Sequence, residues 1–146
     1  MKYCVDIEID LPRDRVVELF DDEENVFKWM EGIESWDQLS GSQGETGAKS
    51  EITFKLKNRE MVLLETITEN NLPDNMKMTY EAKGVFNIAN NRFEVIAEGR
   101  TRYTSEQDFQ MKGLMRLVSF FMPNAFKKQT LKNLNDFKMF AEGEPK

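Results

Sequence analysis

The stretch Leu114–Ala141, LMRLVSFFMPNAFKKQTLKNLNDFKMFA, reads as one long amphipathic helix closing a chain whose strand patterns end at Met111-Lys112-Gly113. Leu114, Leu117, Val118 and Phe121 share a face, and after a phase slip Phe126, Leu134, Phe137 and Ala141 continue it. Pro123 stands between the halves, where it removes a backbone hydrogen bond and collides with the preceding turn. A kink or break is therefore expected at Met122-Pro123-Asn124, with Asn124 able to restart the helix. This reading buries Leu117, Phe121, Leu134 and Phe137.

At the other end of the chain, Lys2–Ile9 alternates, with Tyr3, Val5, Ile7 and Ile9 opposed to Cys4, Asp6 and Glu8, the mark of a half-buried strand. Asp10-Leu11-Pro12 punctuates it, Pro12 being suited to the first turn of a helix that carries Val16, Leu19 and Phe20. Asp21-Asp22-Glu23-Glu24 suits the start of a second short helix, with Val26, Trp29 and Met30 as its apolar face and Gly32 as its end. Strand patterns follow at Ile33–Ser40, Ser50–Lys57, Glu60–Glu69, Met76–Ala82, Val85–Ala97 and Thr101–Met111, with an interruption expected at Asn90-Asn91-Arg92. Short turns such as Asn58-Arg59, Lys83-Gly84 and Glu98-Gly99 join them, which favours antiparallel pairing. The expected fold is α+β: a helix grip, in which a curved antiparallel sheet wraps around the C-terminal helix, with two short helices after the first strand and no parallel sheet. Residues 1–146 are expected to form one domain.

Composition narrows the chemistry. The chain has 146 residues, 40% hydrophobic and 32% charged, and no run approaches the roughly 20 apolar residues that cross a bilayer. Its acidic, alternating opening is unlike a signal peptide, and the single Cys4 has no disulfide partner, so a cytoplasmic protein is expected. A net charge of −6 argues against nucleic acid as a partner. There is no histidine, hence no Ser-His or Cys-His pair and no imidazole metal ligand. No metal or cofactor is expected, and any catalysis would fall to a buried Glu or Asp, a Tyr, a Lys or an Arg.

In this order of elements the chain resembles the START-like, or SRPBCC, superfamily, which includes the birch-pollen-allergen fold and polyketide cyclase/dehydrase-like proteins. The resemblance rests on the opening strand and Pro-initiated helix, Trp29-Met30-Glu31-Gly32, the Gly41/Gly44/Gly47 loop between two strands, and the long C-terminal helix. It implies a seven-stranded antiparallel sheet gripping the helix around a hydrophobic cavity. It also implies a ligand such as a lipid, sterol, polyketide, hormone or aromatic compound, with a minority of enzymes and some chaperone partners.

Gly47-Ala48-Lys49-Ser50 nearly spells the end of a phosphate-binding loop, but Ala48 intervenes and a strand, not a helix, follows. The glycines are read instead as positive-φ residues of a tight loop. Phe54, Leu63, Met78, Tyr80, Phe93 and Tyr103 lie on candidate inward faces, and Met115, Val118, Phe121, Met122 and Phe126 on the helix. For any one of these residues a filled core is the ordinary reading; for the set, a plastic pocket is what the resemblance implies. Glu65 falls in register with Met61, Leu63 and Ile67, which would turn it inward, with Arg92 or Arg102 as its counter-charge if it is buried; the ordinary reading is that a bulge or edge position places it in water. Glu81, Glu94 and Glu98 are expected on the solvated face. Lys112, Arg116, Lys127, Lys128, Lys132 and Lys138 give the closing helix a basic side, ordinarily just solvated but also able to attract acidic groups.

The leading expectation is binding of a hydrophobic or amphipathic small molecule under the C-terminal helix, lined by Phe54, Leu63, Glu65, Met78, Tyr80, Phe93, Tyr103, Met115, Val118, Met122 and Phe126. The rivals are a cyclase, dehydratase or hydrolase using Glu65 with Tyr80 or Tyr103, and a module that grips a protein partner.

Overall fold

The computed structural model describes residues 1–144. Strand β1 (Lys2–Ile9) leads into helix α1 (Arg13–Asp21), a 3-10 turn (Glu23–Asn25) and helix α2 (Val26–Trp29). Six strands follow: β2 (Ile33–Ser40), β3 (Lys49–Leu56), β4 (Arg59–Asn71), β5 (Asn75–Ala82), β6 (Val85–Ala97) and β7 (Arg100–Met111). The chain then forms α3 (Leu114–Phe121) and α4 (Ala125–Gly143). All seven strands make one sheet in the order β1-β7-β6-β5-β4-β3-β2, and every pairing is antiparallel. Only the first connection, through α1 and α2, crosses from one edge of the sheet to the other. This is the expected helix grip.

Local chemistry explains most boundaries. Pro12 stands just before the first helical residue rather than within the first turn, and its carbonyl accepts from the N–H groups of Arg15 and Val16 at 3.0 and 3.1 Å. Asp22 caps the 3-10 turn, its Oδ1 accepting from the Glu24 N–H at 3.0 Å. In the β2–β3 loop, Gly41, Gly44 and Gly47 all have positive φ, and a Cβ on Gly41 would lie 2.9 Å from the Ala48 Cα. A strand, not a helix N-terminus, follows that loop.

Two expectations need correction. The interruption at Asn90-Asn91-Arg92 is absent: β6 runs unbroken from Val85 to Ala97 and pairs with β5 and β7 through those residues. The side chains there find partners on neighbouring strands instead of ending this one: Asn90 with Asn75, Asn91 with Tyr103 and Arg92 with Glu106. The second correction concerns the closing helix. The break at Pro123 is as expected, with Met122 at φ −129 and ψ 59, but the burial of α3 is not. Leu134 and Phe137 are buried as expected, but Leu117 is 55% and Phe121 75% exposed. Freed by the break, α3 no longer presents their face to the sheet.

The main core lies between α1, α4 and the β1-β7-β6 half of the sheet. Val5, Ile7, Ile9, Leu11, Val16, Leu19, Phe93, Tyr103, Leu134, Phe137 and Ala141 are buried together there. Phe137 is its hub, edge-on to Phe20, Trp29 and Tyr103 at 6.2, 5.3 and 5.8 Å. Outside, the convex face carries a charge ladder in which Arg92 pairs with Glu94 and Glu106, and Arg100 with Glu8.

Candidate functional site

Antiparallel register places opposed residues on the same face, so the lining of the concave side can be followed strand by strand. Glu65 on β4 stands directly opposite Tyr80 on β5. The row continues to Ser50 on β3, and through Asn87 on β6 to Phe109 on β7. Phe109 in turn meets Phe126 of α4, ring centroids 5.1 Å apart. The row therefore lies across the inner wall beneath the closing helices. Within it Ser50, Glu65 and Asn87 are buried while Tyr80 is half-buried.

Glu65 is the unusual member. It is 3% exposed, and its Oε2 has no hydrogen-bond partner among the described residues. Burial raises its pKa from 4.5 to about 7; the Tyr80 hydroxyl opposes that rise, and the charge of Glu23 on the 3-10 turn adds to it. Tyr80 is itself pushed well above the ordinary tyrosine value, by burial first and then by the neighbouring carboxyl. Neither Arg92 nor Arg102 serves as counter-charge, which corrects that expectation. Arg92 pairs with Glu94 and Glu106 and Arg102 with Glu8 and Glu94, all on the convex face. An uncompensated carboxyl with a pKa near neutrality can give or take a proton, or hold a ligand hydroxyl.

A second polar group lies deeper. The Tyr103 hydroxyl donates to Asn91 Oδ1 at 2.7 Å, and the Asn91 amide contacts the Met78 sulfur at 3.4 Å. Asn87 donates to Gln107 at 2.9 Å, and Gln107 to Ser105 at 2.7 Å. The indole N–H of Trp36, inward on β2 opposite Ile52, is buried without a partner. Sequence reasoning missed Asn87, Asn91, Ser105, Gln107 and Trp36 as inward polar groups. Counting back by twos from Phe93 would have found Asn91 and Asn87.

The residues singled out from sequence fall into three groups. Phe54, Leu63 and Tyr80 are half-buried on the inner wall beside Glu65, and Met115, Val118 and Phe126 are half-buried on the helices. Met78, Phe93 and Tyr103 are buried; Phe93 and Tyr103 belong to the aromatic core, with centroids 4.8 Å apart. Met122 lies at the helix break and is 57% exposed.

The inner wall is not sealed. On the same face, Leu56 and Met61, near the β3–β4 turn, are 42% and 48% exposed. A folded chain of this mass exposes about 7,800 Å² by size scaling, whereas this one exposes 8895 Å². Exposed apolar side chains of α3, namely Leu114, Leu117, Phe120 and Phe121, are part of that surface. Half-buried apolar side chains thus surround a buried carboxyl on this inner face. A separate groove of about 530 Å³ at the far end of the sheet is bordered by Arg13, Asp74, Arg92 and Glu94. Its charges neutralise one another, Arg13 with Asp74 at 3.0 Å and Arg92 with Glu94 at 2.8 Å, so it offers little to a ligand.

Residues 2–141 match the family described as polyketide cyclase/dehydrase and lipid transport. The chain belongs to this family. Among solved structures, the fold is similar to the Zhui aromatase/cyclase from Streptomyces sp. R1128, with a TM-score of 0.82, 13% identity and coverage of 97% of this chain and 93% of that one. It is likewise similar to Ara h 8.0201, with a TM-score of 0.76, 13% identity and 99% of each chain covered. Major latex-like protein 151 from Panax ginseng gives a TM-score of 0.73 at 15% identity, with 95% of each chain covered. At such identities these structures establish the fold alone, and the START-like architecture expected from sequence is the one found. No curated protein matches the sequence. Among the described residues, no helix is long and apolar enough to cross a membrane.

Proposed function

We propose that this polyketide cyclase/dehydrase and lipid transport family member binds a hydrophobic or amphipathic small molecule in the hollow between the concave sheet and its closing helices. One observation carries the reading: Phe54, Leu63, Tyr80, Met115, Val118 and Phe126 remain only half-buried around an inner wall whose buried carboxyl, Glu65, meets Tyr80 but keeps Oε2 without a hydrogen-bond partner among the described residues. Apolar side chains lose favourable burial in such a place unless something else covers them. The ligand class follows from the lining, mostly aliphatic, methionine and aromatic, with Glu65 and Tyr80 able to meet one polar group. Native mass spectrometry of protein purified without detergent tests this. A co-purifying small-molecule mass, released on denaturation, supports it; protein that emerges bare and also ignores added fatty acid counts against it.

The position of Glu65 favours a second reading, in which the bound molecule reacts. A carboxyl with a pKa of about 7 beside a tyrosine hydroxyl can act as acid or base at neutral pH, as a cyclisation or dehydration requires. Loss of turnover in Glu65→Gln with ligand binding retained would favour the enzyme; binding without turnover in the native chain would leave a carrier.

A further inference from the structure

We propose that α3 and its flanks dock the protein on an anionic lipid surface. The helix is turned inside out. Met115, Val118 and Ser119 are its half-buried residues, whereas Leu114, Leu117, Phe120 and Phe121 are 75%, 55%, 77% and 75% exposed. Met122, next along, adds another exposed apolar side chain. Phe120 and Phe121 lie edge-to-face on each other at 5.4 Å. Those two rings alone leave on the order of 300 Å² of apolar surface in water. An exposed apolar patch of that size is comparable with the largest on an ordinary monomer, which is often functional.

Charge says what kind of surface is complementary. Residues 109–135 contain five basic residues, Lys112, Arg116, Lys127, Lys128 and Lys132, and no acidic one, within a chain of net charge −6. The rest of the chain holds 15 basic against 26 acidic residues, or −11, so the basic charge is concentrated around this helix. Lys132 is engaged by Glu31 and Asp136, but Lys112, Arg116, Lys127 and Lys128 are exposed. Each Lys or Arg near an anionic bilayer contributes about 1 kcal/mol, and exposed Phe and Leu side chains enter the boundary between headgroups and acyl chains. A second copy fits less well, because a two-fold contact would bring the same basic set against itself. The proposal does not depend on the ligand reading, since it uses none of the Glu65 row. It does have a consequence for it: α3 follows β7 at the end of the sheet that holds the β3–β4 and β5–β6 turns, so docking turns that end of the hollow toward lipid.

Co-flotation of the full chain with vesicles tests the proposal. Mixed phosphatidylcholine–phosphatidylglycerol vesicles should retain the protein at low salt, and pure phosphatidylcholine vesicles should hold it about tenfold less tightly. Phe120→Ser/Phe121→Ser should lower retention by a similar factor with an unchanged unfolding transition, because neither ring is part of the core. Lys127→Glu/Lys128→Glu should weaken retention at low salt. Failure to float with anionic vesicles would overturn the proposal, as would retention indifferent to both double variants. A concentration-dependent dimer abolished by Phe120→Ser/Phe121→Ser, without lipid binding, would assign the face to a second copy and also overturn it.

Discussion

Tyr80 stands directly opposite Glu65 across the β4–β5 pair, and its hydroxyl favours the charged form of a carboxyl that burial otherwise holds neutral. The balance between the two sets the protonation of the inner wall. Tyr80→Phe should raise the Glu65 pKa above its native value of about 7. Carboxyl-carbon NMR titration reads this directly, and a midpoint that falls would show that the hydroxyl does not face the carboxylate.

Stability should depend on pH through the same group. The folded-state pKa lies above the unfolded one, so its stabilising contribution is fully present below about pH 4.5 and is lost as pH rises through about 7. The loss is on the order of 3 kcal/mol at most. Urea unfolding of Glu65→Gln should lack this component, making the variant more stable than the native chain at pH 8 and little different at pH 5. A native-minus-variant difference that stays constant across that range would place Glu65 in water.

Phe137 and Phe121 separate the two halves of the closing segment. Phe137 is fully buried and Phe121 is 75% exposed. Phe137→Ala should cost about 3–5 kcal/mol, and Phe121→Ala no more than about 0.5 kcal/mol. Equal effects in chemical denaturation would mean that α3 packs down on the sheet in solution.

Much of this was legible from sequence because two periods carried it. Alternation along Lys2–Ile9 and Met76–Ala82 identified inward faces, and the apolar spacing of Leu134, Phe137 and Ala141 identified the buried side of α4. Glu65 was found by the same count. The break at Pro123 was legible but the exposure of α3 was not: its apolar spacing is as regular as that of α4, and only the exposed Leu117 and Phe121 show that this face is left uncovered. Asn90-Asn91-Arg92 misled because turn-forming residues resemble a break when their cross-strand partners are unknown. Tyr103 and Glu106, on the neighbouring strand, supply those partners.

The Tyr103–Asn91 bond is itself testable. Both residues are buried and their side chains meet at 2.7 Å. Tyr103→Phe removes the hydroxyl donor and leaves Asn91 Oδ1 without it, which should cost about 1–3 kcal/mol in urea unfolding. No change would mean that water replaces the hydroxyl, and hence that the hollow reaches deeper than Tyr80.

Whether the hollow takes a hydrophobic molecule is read by titrating native protein with a fluorescent fatty acid, with Leu63→Trp as the partner variant. Leu63 is half-buried on the inner wall, on the same face as Glu65, and is not one of the exposed residues of the proposed lipid-docking face, so a larger side chain there fills the hollow and leaves Phe120, Phe121, Lys127 and Lys128 unchanged. Saturable binding at about one site is expected in the native chain, weakened about tenfold or more in Leu63→Trp with folding retained. A native chain that binds no probe, or a variant that binds it as well as the native chain does, would contradict it.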